Sequence, residues 1–332
     1  MHFLIIGVGS IGERHLRNFL RIAGVRCSFA EVNPTTRDKM AATYKVEQVY
    51  ADFREADLTG FDGVVICVPA NLHVPIASEV ALAGTHVLTE KPLSMSLDGI
   101  DQLKQLRDEQ GVVVSVAFPF RSEPMFVELK ERVASQELGA IHLVNSFAGQ
   151  YWPSMRKDYP PQYAQSRASG GGAIPDHLVH HINFLEWVFG QVKDVSAMHW
   201  RLALDDIATE ETSFVTLRFG SGPIAHLGIC LFQRDQNTRM QIIGDRGTVQ
   251  MRSGIDTLEI FDAASDQWSP GRTCASDRDD LFRDQAQHFI DCIHNRATPR
   301  CTVEEAEQTL RTVLAALDSA DGNSAFVSVD RT

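Results

Sequence analysis

The first dozen residues contain the pattern that most constrains the fold. The chain begins MHFLIIGVGSIG, in which an apolar run is followed directly by three glycines spaced G-x-G-x-x-G. A short continuous apolar run indicates a strand buried on both faces, as in parallel sheets. Apolar residues then recur at helical spacing from Ile11 to Ala23, and Gly24 ends the run. The chain therefore opens with a strand, a glycine turn and a helix.

The alternation of strand and helix continues to residue 119. Buried strands are predicted in VRCSFAEV, DGVVICVP, THVLTE and VVVSVAF, and helices in VPIASEVALAG and SLDGIDQLKQLRDEQG. The second of these helices is expected to present one apolar side, formed by Leu97, Ile100, Leu103 and Leu106. Repeated units of this kind predict an α/β fold, a doubly wound parallel sheet of the Rossmann type, over residues 1–119.

The pattern changes in residues 120–332. After a helix around EPMFVELKERVASQ, polar and apolar residues alternate in AIHLVNSFAGQYW, ETSFVTLRFG, PIAHLGICLFQ and TRMQIIGD. This alternation indicates antiparallel strands with one buried face. Two amphipathic helices, DLFRDQAQHFIDCIHNR and TVEEAEQTLRTVLAALDSA, close the chain. We therefore expect a second domain of the α+β class that binds the substrate.

Composition limits the classes of partner. The 332 residues are 44% hydrophobic and 22% charged, as is usual for globular proteins. The formal net charge of −12 disfavours nucleic acid and anionic membranes, because both reward clustered Lys and Arg. The six cysteines show no Cys-x-x-Cys spacing, and the N-terminus lacks the features of a signal peptide. We expect a cytoplasmic protein that acts on small molecules.

The glycine turn predicts a dinucleotide site. Gly7 allows a tight turn, Gly9 lacks the side chain that would block a pyrophosphate, and Gly12 lets the helix approach the strand. The helix N-terminus offers unpaired amides to the phosphates. Ile11, within this turn, is included among the cofactor-binding residues.

An acidic residue at the end of the second strand indicates which dinucleotide is bound. Glu31 stands 19 residues after Gly12, where a carboxylate accepts hydrogen bonds from ribose hydroxyls and repels a 2'-phosphate. NAD is therefore favoured over NADP. The alternative is that Arg37, on the following helix, reaches a phosphate.

The stretch TEKP, Thr89 to Pro92, follows the strand THVLTE on the carboxyl edge, where ligands bind in open α/β sheets. With this stretch the sequence resembles the Gfo/Idh/MocA family of oxidoreductases over nearly its whole length. The resemblance rests on GVGSIGERH, VPANLHVPIASEVALAGTHVLTEKP, GGGAIPDHLVHHINFLEWVFG and the closing pair of helices, in that order.

The resemblance implies both a fold and a set of functional residues. It implies that the second domain is a large, mostly antiparallel open sheet that makes the contacts of a homodimer or homotetramer. The residues it implies to be catalytic are Lys91, Asp176 and His180. Those it places along the cofactor are Pro69, Asn71, His73 and Glu90.

The spacing of the implied catalytic residues suits their roles. Asp176 and His180 are four residues apart on a predicted helix and share a face, so the carboxylate can orient the imidazole as a general base. Lys91 would stabilise the developing alkoxide. The family usually has a small residue at Leu178 and an aspartate at Asn183. We expect Leu178 to change the shape of the pocket near His180, and Asn183 to affect local packing rather than chemistry.

A metal site is the competing interpretation of the same helix. His177 and His181 share a face at the spacing of zinc-binding histidine pairs. The sequence HLVHH lacks the glutamate of the metalloprotease signature, and no further ligand cluster is evident. No metal is therefore assigned, and these two histidines are interpreted as capping or solvating the helix start.

The irregular segment GQYWPSMRKDYPPQYAQSRASGGG precedes this helix. Long loops within a domain are usually functional or mobile, aromatic faces stack on sugars, and guanidinium groups pair with anions. Such side chains would equally serve to anchor the loop. The candidate substrate-binding residues, including one at the domain junction, are Arg121, Trp152, Arg156, Tyr159 and Tyr163.

Two functions remain open. The main hypothesis is hydride transfer between nicotinamide and a secondary alcohol or ketone of a sugar, nucleotide-sugar or cyclic polyol. The alternative is a non-catalytic sensor that keeps the fold and the cofactor. The presence of Lys91, Asp176 and His180 favours the enzyme, because a sensor needs no positioned base.

Overall fold

The computed structural model describes residues 1–155, 165–252 and 255–331. The chain forms two compact units. The first unit consists of Met1–Pro119 and Asp277–Glu307, and the second of Phe120–Ser276 and Gln308–Thr332.

The first unit is built on six parallel strands: β1 (His2–Ile6), β2 (Arg26–Ala30), β3 (Val49–Tyr50), β4 (Gly63–Ile66), β5 (His86–Glu90) and β6 (Val114–Ala117). Their order in the sheet is β3-β2-β1-β4-β5-β6. This order defines a doubly wound sheet that reverses direction between β1 and β4, where ligands bind beyond the carboxyl ends of the strands. The predicted α/β class is confirmed.

Four helices connect these strands: α1 (Ser10–Phe19), α2 (Pro34–Thr43), α3 (His73–Leu82) and α4 (Ile100–Gln110). The prediction for α4 was wrong at its start, since Leu97 lies outside the helix. The reason is Gly99, whose φ of +77° is left-handed and interrupts the helical path immediately before Ile100.

The second unit contains the helices α5 (Pro124–Ala134), α6 (Trp152–Met155) and α7 (Val179–Phe189). Its strands are β7 (Ile141–Gly149), β8 (Val192–Trp200), β9 (Thr212–Phe219), β10 (Ile224–Cys230), β11 (Thr238–Gly244), β12 (Gly247–Arg252), β13 (Ile255–Asp262), β14 (Gln267–Thr273) and β15 (Val327–Ser328). They form one sheet in the order β14-β13-β12-β11-β7-β10-β9-β8-β15. Among the described residues of this sheet, β7 and β10 are the one parallel pair, so the expected mostly antiparallel open sheet is confirmed.

The last two helices, α8 (Arg278–Ile293) and α9 (Val303–Asp321), change the predicted second domain of residues 120–332. α8 belongs to the first unit, because its apolar face, including Phe289, packs with Phe3 and Phe19 in the core beside the parallel sheet. α9 contributes to the first unit up to Glu307 and to the second from Gln308 onward.

All six cysteines are free thiols. Burial raises the pKa of Cys27 to about 12, so this thiol is held protonated and unreactive. Across the three described ranges, no helix combines the length and the apolar character needed to cross a lipid bilayer.

Candidate active site

The glycine turn after β1 is fixed by close packing. Gly7 has a φ of +81°, which glycine adopts without steric cost, and a Cβ there would lie 2.7 Å from the carbonyl oxygen of Cys67. A Cβ on Gly12, in the first turn of α1, would lie 1.8 Å from the carbonyl oxygen of Gly7. Neither position therefore has room for a side chain.

Gly9 lacks a side chain for a different reason. It is the N-cap residue of α1, and a Cβ built there meets no atom within 4 Å. Packing within the protein does not require glycine at this position. The open space in front of the first amides of α1 is therefore available to a ligand. Those amides and the positive end of the helix dipole face an approaching anion. The half-buried Ile11 lies in the same turn. The turn fits the pyrophosphate of a dinucleotide.

Glu31 holds the ends of β1 and β2 together. The N–H groups of Val8 and Asn33 each donate to one of its carboxylate oxygens, both at 2.9 Å. A carboxylate oxygen has a second lone pair, so both oxygens can still accept from ribose hydroxyls. The Arg37 guanidinium donates to the backbone oxygen of Glu31 at 2.9 Å. Discrimination against NADP by Glu31 stays a prediction.

The loop after β4 carries three of the predicted cofactor residues. Pro69 and Asn71 are exposed, whereas the His73 side chain is only 1% exposed. The His73 ring lies between two backbone carbonyl oxygens, with Nδ1 2.8 Å from Pro92 O and Nε2 2.8 Å from Val68 O. The His73 ring is thus buried against the backbone at this edge of the sheet and is not exposed there.

Glu90, the last residue of β5, is buried and has a partner that sequence reasoning missed. Its Oε1 lies 2.8 Å from Nε2 of His15, a buried residue of α1, and its Oε2 accepts from the Lys91 N–H at 3.2 Å. Burial acts to raise the pKa of Glu90, but His15, Lys91 and His73 outweigh it, so the pKa is lowered and the carboxylate is ionised. The available signal was the helical spacing of GERH, which puts His15 on the face of Gly12.

In the second unit the predicted helix start is a π-helical turn, Ala173–Leu178, that leads into α7. Such turns often occur at functional sites. Within it, Oδ2 of the buried Asp176 lies 3.3 Å from Nε2 of His177. The structure thus brings Asp176 close to His177, and the pairing of Asp176 with His180 stays a prediction.

The two histidines that follow differ in their surroundings. His180 is half-buried, and its ring centroid lies 5.1 Å from that of Phe120. His181 is buried, with Nδ1 2.8 Å from Ser146 Oγ. Burial, with a smaller contribution from His177, lowers the pKa of His181 to about 4. The interpretation of His181 as a solvated residue at a helix start was wrong, because its face of α7 packs inward.

The candidate substrate residues have different environments. Arg121 is buried: its Nε donates to Asn183 Oδ1 at 2.9 Å and its guanidinium lies over the Trp187 ring at 5.5 Å. Arg121 is therefore held in the protein interior by these contacts, and its contact with substrate stays a prediction. Trp152 is buried too, and its ring packs edge to face on His177. The remaining candidates, Arg156, Tyr159 and Tyr163, lie outside the described residues.

Asn183, the departure from the family pattern, belongs to the same interior network. Its Nδ2 donates to Thr309 Oγ1 at 3.0 Å, and Thr309 donates in turn to Glu186 at 2.6 Å. Burial raises the pKa of Glu186 to about 7. The amide side chain therefore links Arg121, through Thr309, to the partly buried Glu186 carboxyl group without adding a charge.

Among residues 1–155, 165–252 and 255–331, no group of three or more His, Cys, Asp or Glu side chains is arranged to hold a metal ion.

Comparison with known proteins assigns the family. A family model described as an oxidoreductase family with an NAD-binding Rossmann fold matches residues 1–118, and the GFO/IDH/MocA C-terminal domain model matches residues 126–250. The chain belongs to the Gfo/Idh/MocA oxidoreductase family. Family membership confirms the predicted oxidoreductase with an NAD-binding Rossmann domain.

Several known proteins match nearly the whole chain. An uncharacterised oxidoreductase, YrbE, of Bacillus subtilis is 26% identical over 326 residues, which are 95% of this chain and 93% of that protein. Myo-inositol 2-dehydrogenase of Thermotoga maritima is 25% identical over 332 residues, which cover 97% of this chain and 96% of that protein. The solved structure of levoglucosan dehydrogenase, in complex with NADH and levoglucosan, has a TM-score of 0.86 at 19% identity, covers 99% of each chain, and shows the shared fold.

The open space at Gly9 generates the first testable prediction. We expect Gly9→Val to weaken NADH binding about 10- to 100-fold, because a branched side chain would occupy the space that the pyrophosphate approaches. Folding should be little affected, since no protein atom lies within 4 Å of the new Cβ. NADH fluorescence titration and thermal unfolding measure the two effects.

Gly60→Val is the matched control, because a Cβ at Gly60 also meets nothing within 4 Å. This variant should bind NADH as the wild type does. Equal affinity of the Gly9 and Gly60 variants would show that the space at Gly9 is not the dinucleotide site.

The buried His181 predicts a pH dependence of stability. The folded-state pKa of His181 is about 4, below the unfolded value of about 6.5. The contribution of the neutral ring to the free energy of unfolding is therefore complete above pH 6.5 and is lost as the pH falls towards 4. The loss at pH 4 is on the order of 3 kcal/mol. We expect His181→Gln to flatten the pH dependence of the unfolding free energy over this range. An unchanged slope, or an equal change in the exposed-site control His226→Gln, would contradict the assignment.

Proposed function

We propose that this protein transfers hydride between NAD and a secondary alcohol or ketone of a sugar, nucleotide-sugar or cyclic polyol. The observation that carries the proposal is the position of Lys91. It follows β5 directly, at the carboxyl edge of the sheet that also bears the open space at Gly9, two strands away in the order β1-β4-β5. The relative named myo-inositol 2-dehydrogenase supports the substrate class.

The chain's own residues would bind and polarise the substrate. NAD, when bound, supplies the hydride acceptor or donor. The glycine turn would hold its pyrophosphate and Glu31 its ribose. Nζ of Lys91 would donate a hydrogen bond to the substrate oxygen as negative charge develops there.

The proton of the substrate hydroxyl needs a base, and we assign that role to the His180 imidazole. His180 is half-buried beside Phe120, so it is accessible without being fully hydrated. Asp176, whose Oδ2 lies 3.3 Å from His177 Nε2, places a carboxylate in the turn that precedes His180 and would stabilise the protonated form of the base. The joint action of Lys91, Asp176 and His180 on one substrate rests on the sequence resemblance.

We also propose that the second unit forms a homodimer or homotetramer through the open face of its sheet. This face carries partly exposed apolar side chains from β7, β8, β9 and β10: a group of four, Phe147, Met198, Trp200 and Phe214, and a cross-strand pair, Leu143 and Ile224, beyond a row that includes Asn145, His226 and Thr216. Phe214 lies at its centre, with ring centroids 6.2 Å from Trp200 and 6.5 Å from Phe147. Exposed apolar clusters of this kind mark interaction sites.

Charge and thiol chemistry support the remaining parts of the proposal. The net charge of −12 favours small-molecule partners over nucleic acid, and the six free cysteines support a cytoplasmic location, because thiols stay reduced there.

The function is tested by Lys91→Met with a panel of sugars, nucleotide-sugars and inositols, following NADH absorbance. The wild type should turn over at least one compound. The variant should lose about 100- to 1,000-fold in kcat, the effect of removing one donor to a developing oxyanion, while NADH affinity is retained. Lys45→Met, at an exposed lysine, is the control and should keep full activity. Wild-type protein that binds NADH but oxidises or reduces none of these compounds would overturn the proposal.

The oligomer is tested by Phe214→Glu in sedimentation velocity. A carboxylate at the centre of the apolar face should dissociate the assembly to the 36.9 kDa chain, because a buried charge without a partner is costly. Leu82→Glu introduces the same charge at an exposed leucine of the first unit and should leave the mass unchanged. A wild type that sediments as a single chain would refute the interface.

A further inference from the structure

His73 occupies an unusual position at the sheet edge. It begins α3, is 1% exposed, and bridges two loops that are adjacent in space. One ring nitrogen, Nε2, lies 2.8 Å from the carbonyl oxygen of Val68 after β4, and the other, Nδ1, lies 2.8 Å from that of Pro92 after β5. Both ring nitrogens therefore face groups that only accept hydrogen bonds.

This geometry determines the protonation state of the ring. A neutral imidazole has one N–H donor and one acceptor nitrogen, whereas an imidazolium has two donors. In a neutral ring one lone pair of His73 would point at a carbonyl oxygen 2.8 Å away. A flipped ring would place carbon atoms at those distances, well inside the about 3.3–3.6 Å of a C–H···O contact. Only the doubly protonated ring satisfies both contacts.

The surroundings of the ring act on its protonation in both directions. Burial is the largest influence and lowers the pKa of His73 below its ordinary value, and the Lys91 ammonium acts in the same direction. The hydrogen bonds to Pro92 and Val68 and the Glu90 carboxylate act in the opposite direction. The protonated ring is therefore assigned from its two contacts with carbonyl oxygens and not from the direction of the pKa. Glu90 is buried and ionised, and a buried carboxylate requires a nearby positive partner.

A second histidine on the same strand provides an internal comparison. His86 begins β5, at the end opposite to Glu90, and its Nδ1 accepts a hydrogen bond from the Val113 N–H at 2.9 Å. That nitrogen therefore carries no proton, so the His86 ring is neutral. The two ends of β5 are thus bordered by histidines in opposite protonation states.

We propose that His73 is a positioning residue which, as a buried imidazolium, ties Val68 to Pro92 and thereby fixes the backbone on which Lys91 is mounted. Glu90, on the other side of Lys91, is held by His15 at 2.8 Å. Both neighbours of Lys91 are thus fixed by buried histidines. The link to turnover rests on the proposed role of Lys91, whereas the charge state of His73 does not depend on it.

The charge state is tested by two-bond ¹H–¹⁵N correlation spectra of histidine side chains in the wild-type protein at pH 7. The His73 signals are assigned by through-bond experiments and by their loss in His73→Gln. Both His73 nitrogens should resonate as protonated, whereas Nδ1 of His86 should resonate as unprotonated. An unprotonated nitrogen on His73 at pH 7 would overturn the proposal, whatever the enzyme's activity.

The positioning role is tested by comparing His73→Gln with the matched control His86→Gln. A glutamine at 73 has its donors on a single nitrogen and cannot reproduce both contacts. We expect the kcat of His73→Gln to fall about 10- to 100-fold with NADH affinity within about twofold of wild type, and His86→Gln to keep kcat within about twofold. The wild-type kcat should decline as rising pH removes the His73 proton, and this decline should be absent from His73→Gln.

Hydrogen exchange of the Lys91 amide gives a readout that requires no turnover. Exchange should be faster in His73→Gln than in the wild type and unchanged in His86→Gln. Equal exchange in all three proteins would refute the positioning role. If the wild type bound NADH but turned over no substrate, the proposed function would fail while the spectra and the exchange rates still decided the role of His73.

Discussion

The contact between the first turn of α1 and the end of β1 is the constraint on which the cofactor half of the molecule depends. Gly12 approaches the carbonyl oxygen of Gly7 so closely that a single methyl group would collide with it. Because the helix is held at this distance, its N-terminal amides face the open space at Gly9. The same approach carries His15, one turn further along, to the Glu90 carboxylate. The close approach of Gly12 to Gly7 thus places the α1 amides where they can bind an anion, and it also brings His15 to the buried Glu90 carboxylate.

Buried ionisable groups are handled differently in the two units. Around Glu90 a carboxylate is kept ionised by His15, Lys91 and His73, at the edge where chemistry is proposed. In the second unit, burial instead lowers the pKa of His181 and raises that of Glu186, so both groups are biased towards their neutral forms. At Glu90 the charged partners and hydrogen bonds together outweigh burial, whereas the hydroxyl donors Thr309 and Thr312 do not outweigh it at Glu186.

The sheet of the second unit has one face that builds its core and another for which we propose association. Residues such as Val215 and Leu217 are buried on one face, whereas Phe214 on the same strand is partly exposed on the other. Because successive side chains of a strand point to opposite faces, one strand serves both purposes. The buried face builds the unit itself, and the exposed face is available to a second copy.

Local periodicity in the sequence determined the α/β class, the glycine turn, the mostly antiparallel second sheet and the position of Lys91, because each of these depends on neighbours within about a dozen residues. Strand β14, with its Pro and Gly and its exposed side chains, shows no such period and escaped prediction. Only the tertiary structure placed α8 in the first core, paired His15 with Glu90 across 75 residues, and put the His73 ring between two carbonyl oxygens. An amphipathic helix fits any apolar surface, and a histidine has no preferred partner until the fold brings one within hydrogen-bonding distance.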